Sequence, residues 1–88
     1  MARLRLFARA REAAGCADDV IDAATLGALL ADARSRYGNE FAAVLARSKV
    51  WVNGDEPPGG EGTSLRADDE VAVLPPVSGG AGVGSLAT

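Results

Sequence analysis

At 88 residues the chain has room for one domain and one core, and its 48% hydrophobic and 24% charged composition is that of a folded protein. The formal net charge is −3, with a single cysteine and no histidine. That excludes an internal disulfide, a Ser-His or Cys-His catalytic pair and the commonest metal ligand.

Arg3-Leu4-Arg5-Leu6-Phe7 alternates charge and bulk with period two, which predicts a half-buried strand. Ala8 to Cys16 is small and charged and predicts a loop with a short helical turn. Asp19-Val20-Ile21-Asp22 reads as a strand returning along the first, the two forming a hairpin with a wide loop. Thr25 is an N-cap, and Leu26, Leu29, Leu30, Ala33 and Tyr37 recur at helical spacing up to Gly38, where a left-handed C′ residue is wanted. Phe41, Val44 and Leu45 predict a second short helix from near Asn39. Lys49 to Val52 is a strand closed by an Asn53-Gly54 turn, and Asp55 to Thr63 is a surface loop rich in glycine and proline. If Val50 and Val52 face the core, Trp51 points outward or lies under that loop. Leu65 to Asp69 turns the chain into the last strand, Glu70 to Leu74.

Two hairpins around one main helix make an α+β fold, a mixed sheet of about four to five strands with the helix across one face. The first and last strands are expected to pair in parallel at its centre, as in a β-grasp. Residues 1–76 form this domain and residues 77–88 an arm. The last strand runs into Pro75-Pro76, which cannot continue a ladder because proline has no N–H and fixes φ near −65°. Val77, Ser78, Gly79 and Gly80 are then projected from the sheet, and residues 75–80 reach about 20 Å when extended. Two glycines without Cβ allow the backbone into a narrow channel. Chemistry at the end of the chain, rather than in a pocket, is the expectation.

Charge is uneven along the chain. Residues 51–88 hold one basic residue, Arg66, against Asp55, Glu56, Glu61, Asp68, Asp69 and Glu70. These acids read first as solvated loop residues, and otherwise as a field steering a basic partner toward the arm. Nucleic acid is not an expected partner. Asp68-Asp69-Glu70 reads as an acidic turn, since consecutive residues do not converge on one cation, and no metal site is expected. Cys16 has no CxxC or basic context and reads as an incidental loop residue. Gly80-Ala81-Gly82-Val83-Gly84-Ser85 has neither the lysine nor the following helix of a phosphate loop. No apolar run approaches the roughly 18 residues of a membrane span, and there is no signal-peptide core, so a cytoplasmic protein without a membrane partner is expected.

Leu6-Phe7-Ala8-Arg9-Ala10-Arg11-Glu12 with Gly15, Thr25-Leu26, Val52-Asn53-Gly54 and Asp69-Glu70-Val71-Ala72 lie in order before Pro75-Pro76-Val77-Ser78-Gly79-Gly80. In these stretches the chain resembles the small subunit of molybdopterin synthase, a ubiquitin-like sulfur carrier. The resemblance implies a ubiquitin-like β-grasp fold and a cycle on the carboxylate of Gly80, with Gly79 giving clearance beside it. An E1-like enzyme adenylates that carboxylate with ATP, a sulfur donor converts it to a thiocarboxylate, and the large synthase subunit receives the arm for dithiolene formation in molybdenum cofactor biosynthesis. The chain is then non-catalytic alone, a subunit of a sulfurtransferase complex, and binds no cofactor itself. Phe7 and Leu74 match a hydrophobic patch that such carriers use to dock partners, with Leu74 standing where an aromatic residue is frequent. Pro75, Pro76, Val77 and Ser78 belong to the same docking segment.

Carriers of this kind usually end at the second glycine, whereas residues 81–88 follow it here. Adenylation therefore requires a free carboxylate on Gly80: either a maturation protease cuts after Gly80, or residues 81–88 are an extension that the native chain lacks. Two other readings stand beside this one: a carrier serving cysteine or another sulfur metabolite, and a non-catalytic β-grasp binding or conjugation module that keeps its tail.

Overall fold

The computed structural model describes residues 1–76. Its elements in order are β1 (Ala2–Leu6), α1 (Ala8–Ala14), β2 (Asp18–Ile21), α2 (Leu26–Tyr37), α3 (Asn39–Ala46), β3 (Lys49–Val52), a single 3₁₀ turn (Gly60–Gly62) and β4 (Glu70–Leu74). The four strands form one mixed sheet in the order β2-β1-β4-β3. β1 and β4 run parallel at its centre, with Leu6 opposite Val73, and the two outer pairs are antiparallel. This is the ubiquitin-like β-grasp arrangement. The stretch expected as a loop with one helical turn is instead a seven-residue helix, α1, which buries Ala10. Its small, alanine-rich sequence hides the helical period because alanine marks no apolar face, yet alanine is the strongest helix former.

The period-two pattern of β1 does what it implies. Ala2, Leu4 and Leu6 are buried while Arg3 and Arg5 are exposed. Val71 and Val73 of β4 lie on the same inner face, and Leu26, Leu29, Leu30 and Ala33 of α2 pack with them together with Phe41 and Leu45 of α3. Thr25 caps α2, its side chain accepting a hydrogen bond from Ala28 N–H at 3.2 Å. Gly38 has φ 93° and ψ −170°, so it is not the expected left-handed cap. It occupies an extended, mirror-image region open essentially to glycine, which turns α2 directly into α3.

At the far end of the sheet Asn53 and Gly54 both have positive φ, 53° and 84°, the two conformations that a type I′ turn demands. Asn53 also ties the turn to β4. Its Nδ2 donates to Asp69 Oδ1 at 2.9 Å, and its Oδ1 accepts from Glu70 N–H at 2.9 Å. Asp69 Oδ2 accepts from Arg66 N–H at 2.8 Å, and these bonds hold the Asp69 carboxyl below its ordinary range. Both oxygens of Asp69 are thus engaged in closing a turn, which fits the acidic-turn reading of this run.

Candidate functional site

β4 is a central strand, so its exit sets where the arm leaves the body. Its last residue, Leu74, lies opposite Lys49 of β3. On the other side Leu6 of β1 is paired with Val73, and Phe7 follows directly. Pro75 and Pro76 end the ladder as expected. The arm therefore starts at the middle of one sheet edge, beside Phe7. Val77, Ser78, Gly79 and Gly80, which carry the proposed chemistry, lie outside the described residues.

The outer face of the sheet bears no helix among the described residues, because α1, α2 and α3 all contribute to the core on the other side. The register fixes its surface. Arg5, Ala72 and Trp51 form one row across three strands, and Arg3, Glu70 and Val20 belong to the next. Three of the large hydrophobics left open are here: Phe7 (40% exposed), Trp51 (40%) and Val20 (45%). Val50 and Val52 pack against the core, so Trp51 points to the outer face, where it shares a cleft with Asp55 and Glu56 at the start of the 55–63 loop. Sequence alone left its direction open; only the pairing with Ala72 settles it.

Charge frames this patch. The Arg5 guanidinium lies 5.8 Å from the centre of the Phe7 ring and pairs with Glu70 at 3.2 Å. The grouping of acids in the second half of the sequence does not become an acidic collar around the arm. Asp68 and Glu70 sit at the start of β4, about 13 Å of strand away from its end, and share a cavity with Met1 and Arg3. Pro75 and Pro76 instead line a groove with Arg9, Glu12, Glu40 and Arg47, and Lys49 lies opposite Leu74. Distance along the chain and distance in space part company here because β3 and β4 run antiparallel.

The edges of the sheet are poor alternatives for docking. On β2 the Val20 N–H is taken by the Asp19 carboxylate at 2.8 Å, and on β3 Val52 exchanges both backbone bonds with Asp55. Such capped edges resist pairing with another chain.

Cys16 is tied into the core side of the sheet. Its Sγ lies 3.5 Å from the Tyr37 hydroxyl, which donates to Asp19; Arg36 also donates to Asp19, at 3.0 Å. The Tyr37 bond holds the Asp19 carboxyl below its ordinary range, and burial together with the same bond pushes the Tyr37 phenol far above its own. This network anchors the α1–β2 connection to the end of α2.

The overall fold is shared with known proteins. Residues 4–80 match the ThiS family model, so the match ends on the second glycine. The chain belongs to the ThiS family. Solved structures of similar fold include the following. The small archaeal modifier protein 1 of Methanosarcina acetivorans is 26% identical, with a TM-score of 0.73 over 90% of this chain and 95% of that one. A putative molybdopterin converting factor subunit 1 from Pyrococcus furiosus is 25% identical, with a TM-score of 0.75 over 86% and 97%. The chain also shares the fold of the structure of the Amycolatopsis orientalis BexX/CysO complex, at 21% identity and a TM-score of 0.76 over 91% and 100%. No curated protein matches the chain. The ThiS assignment makes it a ubiquitin-like sulfur carrier; no helix among the described residues is long and apolar enough to cross a membrane.

Proposed function

We propose that this carrier delivers sulfur from a thiocarboxylate on Gly80 to the large subunit of molybdopterin synthase, for dithiolene formation in molybdenum cofactor biosynthesis. The observation that carries the reading is the central strand β4, which ends at Pro75-Pro76 and continues into Val77-Ser78-Gly79-Gly80 at the limit of the family match. The likeness to a putative molybdopterin converting factor subunit supports the pathway.

The chemistry proceeds in balanced steps. Hydrolysis of the Gly80–Ala81 peptide bond by a protease releases residues 81–88 and frees the carboxylate. An adenylating enzyme then joins that carboxylate to the α-phosphate of ATP and expels pyrophosphate. A carboxylate oxygen is a poor leaving group, whereas AMP is a good one, so a sulfide-level nucleophile from the donor attacks the acyl carbon and displaces AMP. The thiocarboxylate sulfur bonds to an electrophilic carbon of the acceptor and displaces an oxygen leaving group there, and water then hydrolyses the acyl–sulfur bond, which leaves the sulfur on the acceptor and restores the carboxylate. The body of the carrier supplies no acid or base; it supplies aim. Phe7, Trp51 and Leu74 beside the arm root hold the partner while Gly79 and Gly80 enter its channel.

The likeness to a modifier protein favours a second reading, in which the same adenylated Gly80 passes to an amine and forms an amide. Incubating chain 1–80 with its adenylating enzyme, ATP and a sulfur donor separates the two. Exchange of one oxygen for sulfur in the intact mass supports the carrier reading. Activation of the uncut chain 1–88 at the same rate contradicts terminal chemistry at Gly80.

A further inference from the structure

The helical side of the sheet also reaches the arm root. There α1 and α3 pack together and leave a groove of about 460 Å³ that is walled at one end by Pro75 and Pro76. Its floor is made of the small or short side chains Ala13, Ala43 and Val44. Its rim carries Arg9 and Glu12 from α1, and Glu40 and Arg47 from α3. All four rim residues and Ala43 are exposed. None of the four makes an ion pair with another described residue, although other arginines in the molecule do.

These features fit a protein wedge better than a small molecule. A small-molecule site of this volume encloses most of its ligand, whereas this floor lies open between two short helices. Four exposed charges of both signs, without ion pairs among the described residues, around an apolar strip match the centre-and-rim pattern of a protein interface. Position supplies the second argument. The arm leaves the body between the outer face, with Phe7, and this groove. A protein that draws the arm into a channel must place the channel's rim on both sides of Pro75-Pro76. The fixed φ of two consecutive prolines makes the root stiff, so contacts on both sides set the direction in which the arm enters.

We infer that the α1–α3 groove is a second docking site, occupied by a segment of the enzyme that adenylates Gly80. That segment brings an apolar side chain onto Ala43 and Val44, a carboxylate toward Arg9 or Arg47, and a cation toward Glu12 or Glu40. The inference rests on the carrier reading and adds a grip on the side opposite the exposed sheet face.

The test uses chain 1–80 and the adenylating enzyme encoded in the same genome, assayed by ATP–pyrophosphate exchange. Ala43→Tyr fills the groove from an exposed position, and Arg47→Glu reverses one rim charge; circular dichroism and thermal melting confirm that each variant folds. Both variants are expected to raise the KM for the carrier about tenfold or more while the rate at saturation is kept. Arg66→Glu, at the far end of the molecule, is expected to leave KM unchanged. Unchanged KM in both Ala43→Tyr and Arg47→Glu overturns the groove as a docking site. Deletion of Gly80 separates the two levels. If the deletion abolishes exchange while Ala43→Tyr and Arg47→Glu are both normal, only the groove inference fails; if the deletion is activated normally, or the intact carrier is not activated, the carrier reading fails and the inference with it.

Discussion

Tyr37→Phe tests the network that ties β2 to α2. The change removes the hydroxyl that donates to Asp19 and keeps the ring, which packs edge-on to Phe41 with centres 5.1 Å apart. A hydrogen bond to a charged group contributes about 1.5–3 kcal/mol. The Asp19 side chain remains 31% exposed, so water recovers part of the loss and the expected cost is about 1–2 kcal/mol. The cost should depend on pH with a definite sign. Asp19 is held below its ordinary value of 3.8, chiefly by the Tyr37 bond. A carboxyl lowered in the folded state contributes stability that is present above 3.8 and is lost as the pH falls through the folded value. Urea unfolding of both proteins at neutral pH, and in steps below pH 4, measures the gap. The gap should stay constant down to about the ordinary carboxyl value and shrink below it. A gap that is negligible at neutral pH, or that persists unchanged in acid, would refute the assignment.

Two glycine-related substitutions should move stability in opposite directions for one reason. Ala8 has φ 51°, a left-handed conformation that costs an L-residue about 1–2 kcal/mol, so Ala8→Gly should be neutral or stabilising in thermal melts despite glycine's poor helix propensity. Gly38→Ala should destabilise by about 1–3 kcal/mol, entirely through the backbone, because an added Cβ meets nothing within 4 Å; full retention of stability would contradict the described turn. Trp51 is the sole tryptophan and is partly exposed on the outer face, so docking of a partner there should shift its fluorescence. Phe7→Ala should weaken that docking about tenfold or more, and an unshifted emission on binding would place the partner elsewhere.

Much of the fold was legible because its signals are local. Period two in β1, the Thr25 cap with leucines at helical spacing, the Asn53-Gly54 turn and the Pro75-Pro76 stop each act over a few residues and appear in the structure where the pattern put them. α1 was missed because alanine provides helix propensity without an apolar stripe. The Gly38 geometry was missed because a glycine signals only positive φ, not which ψ accompanies it. At the site, the resemblance singled out Phe7 and Leu74, whereas the direction of Trp51 was not legible, since it depends on pairing with a strand some twenty residues later. The unequal distribution of acids was plain in the sequence and misleading in space, because the strand leading to the arm begins near Asp68 and Glu70 and ends opposite Lys49, ahead of two prolines that line a groove of mixed charge. Asn53, part of the quoted resemblance, proves to be structural: it fastens a turn to β4.

The proposed chemistry requires a carboxyl-terminal Gly80. The most direct measurement is the intact mass of the protein isolated from its own cells. The expected result is a chain ending at Gly80, with a second species in which one oxygen is replaced by sulfur. A population that retains Thr88 throughout would contradict it, because the carboxylate that must be activated would never have been exposed.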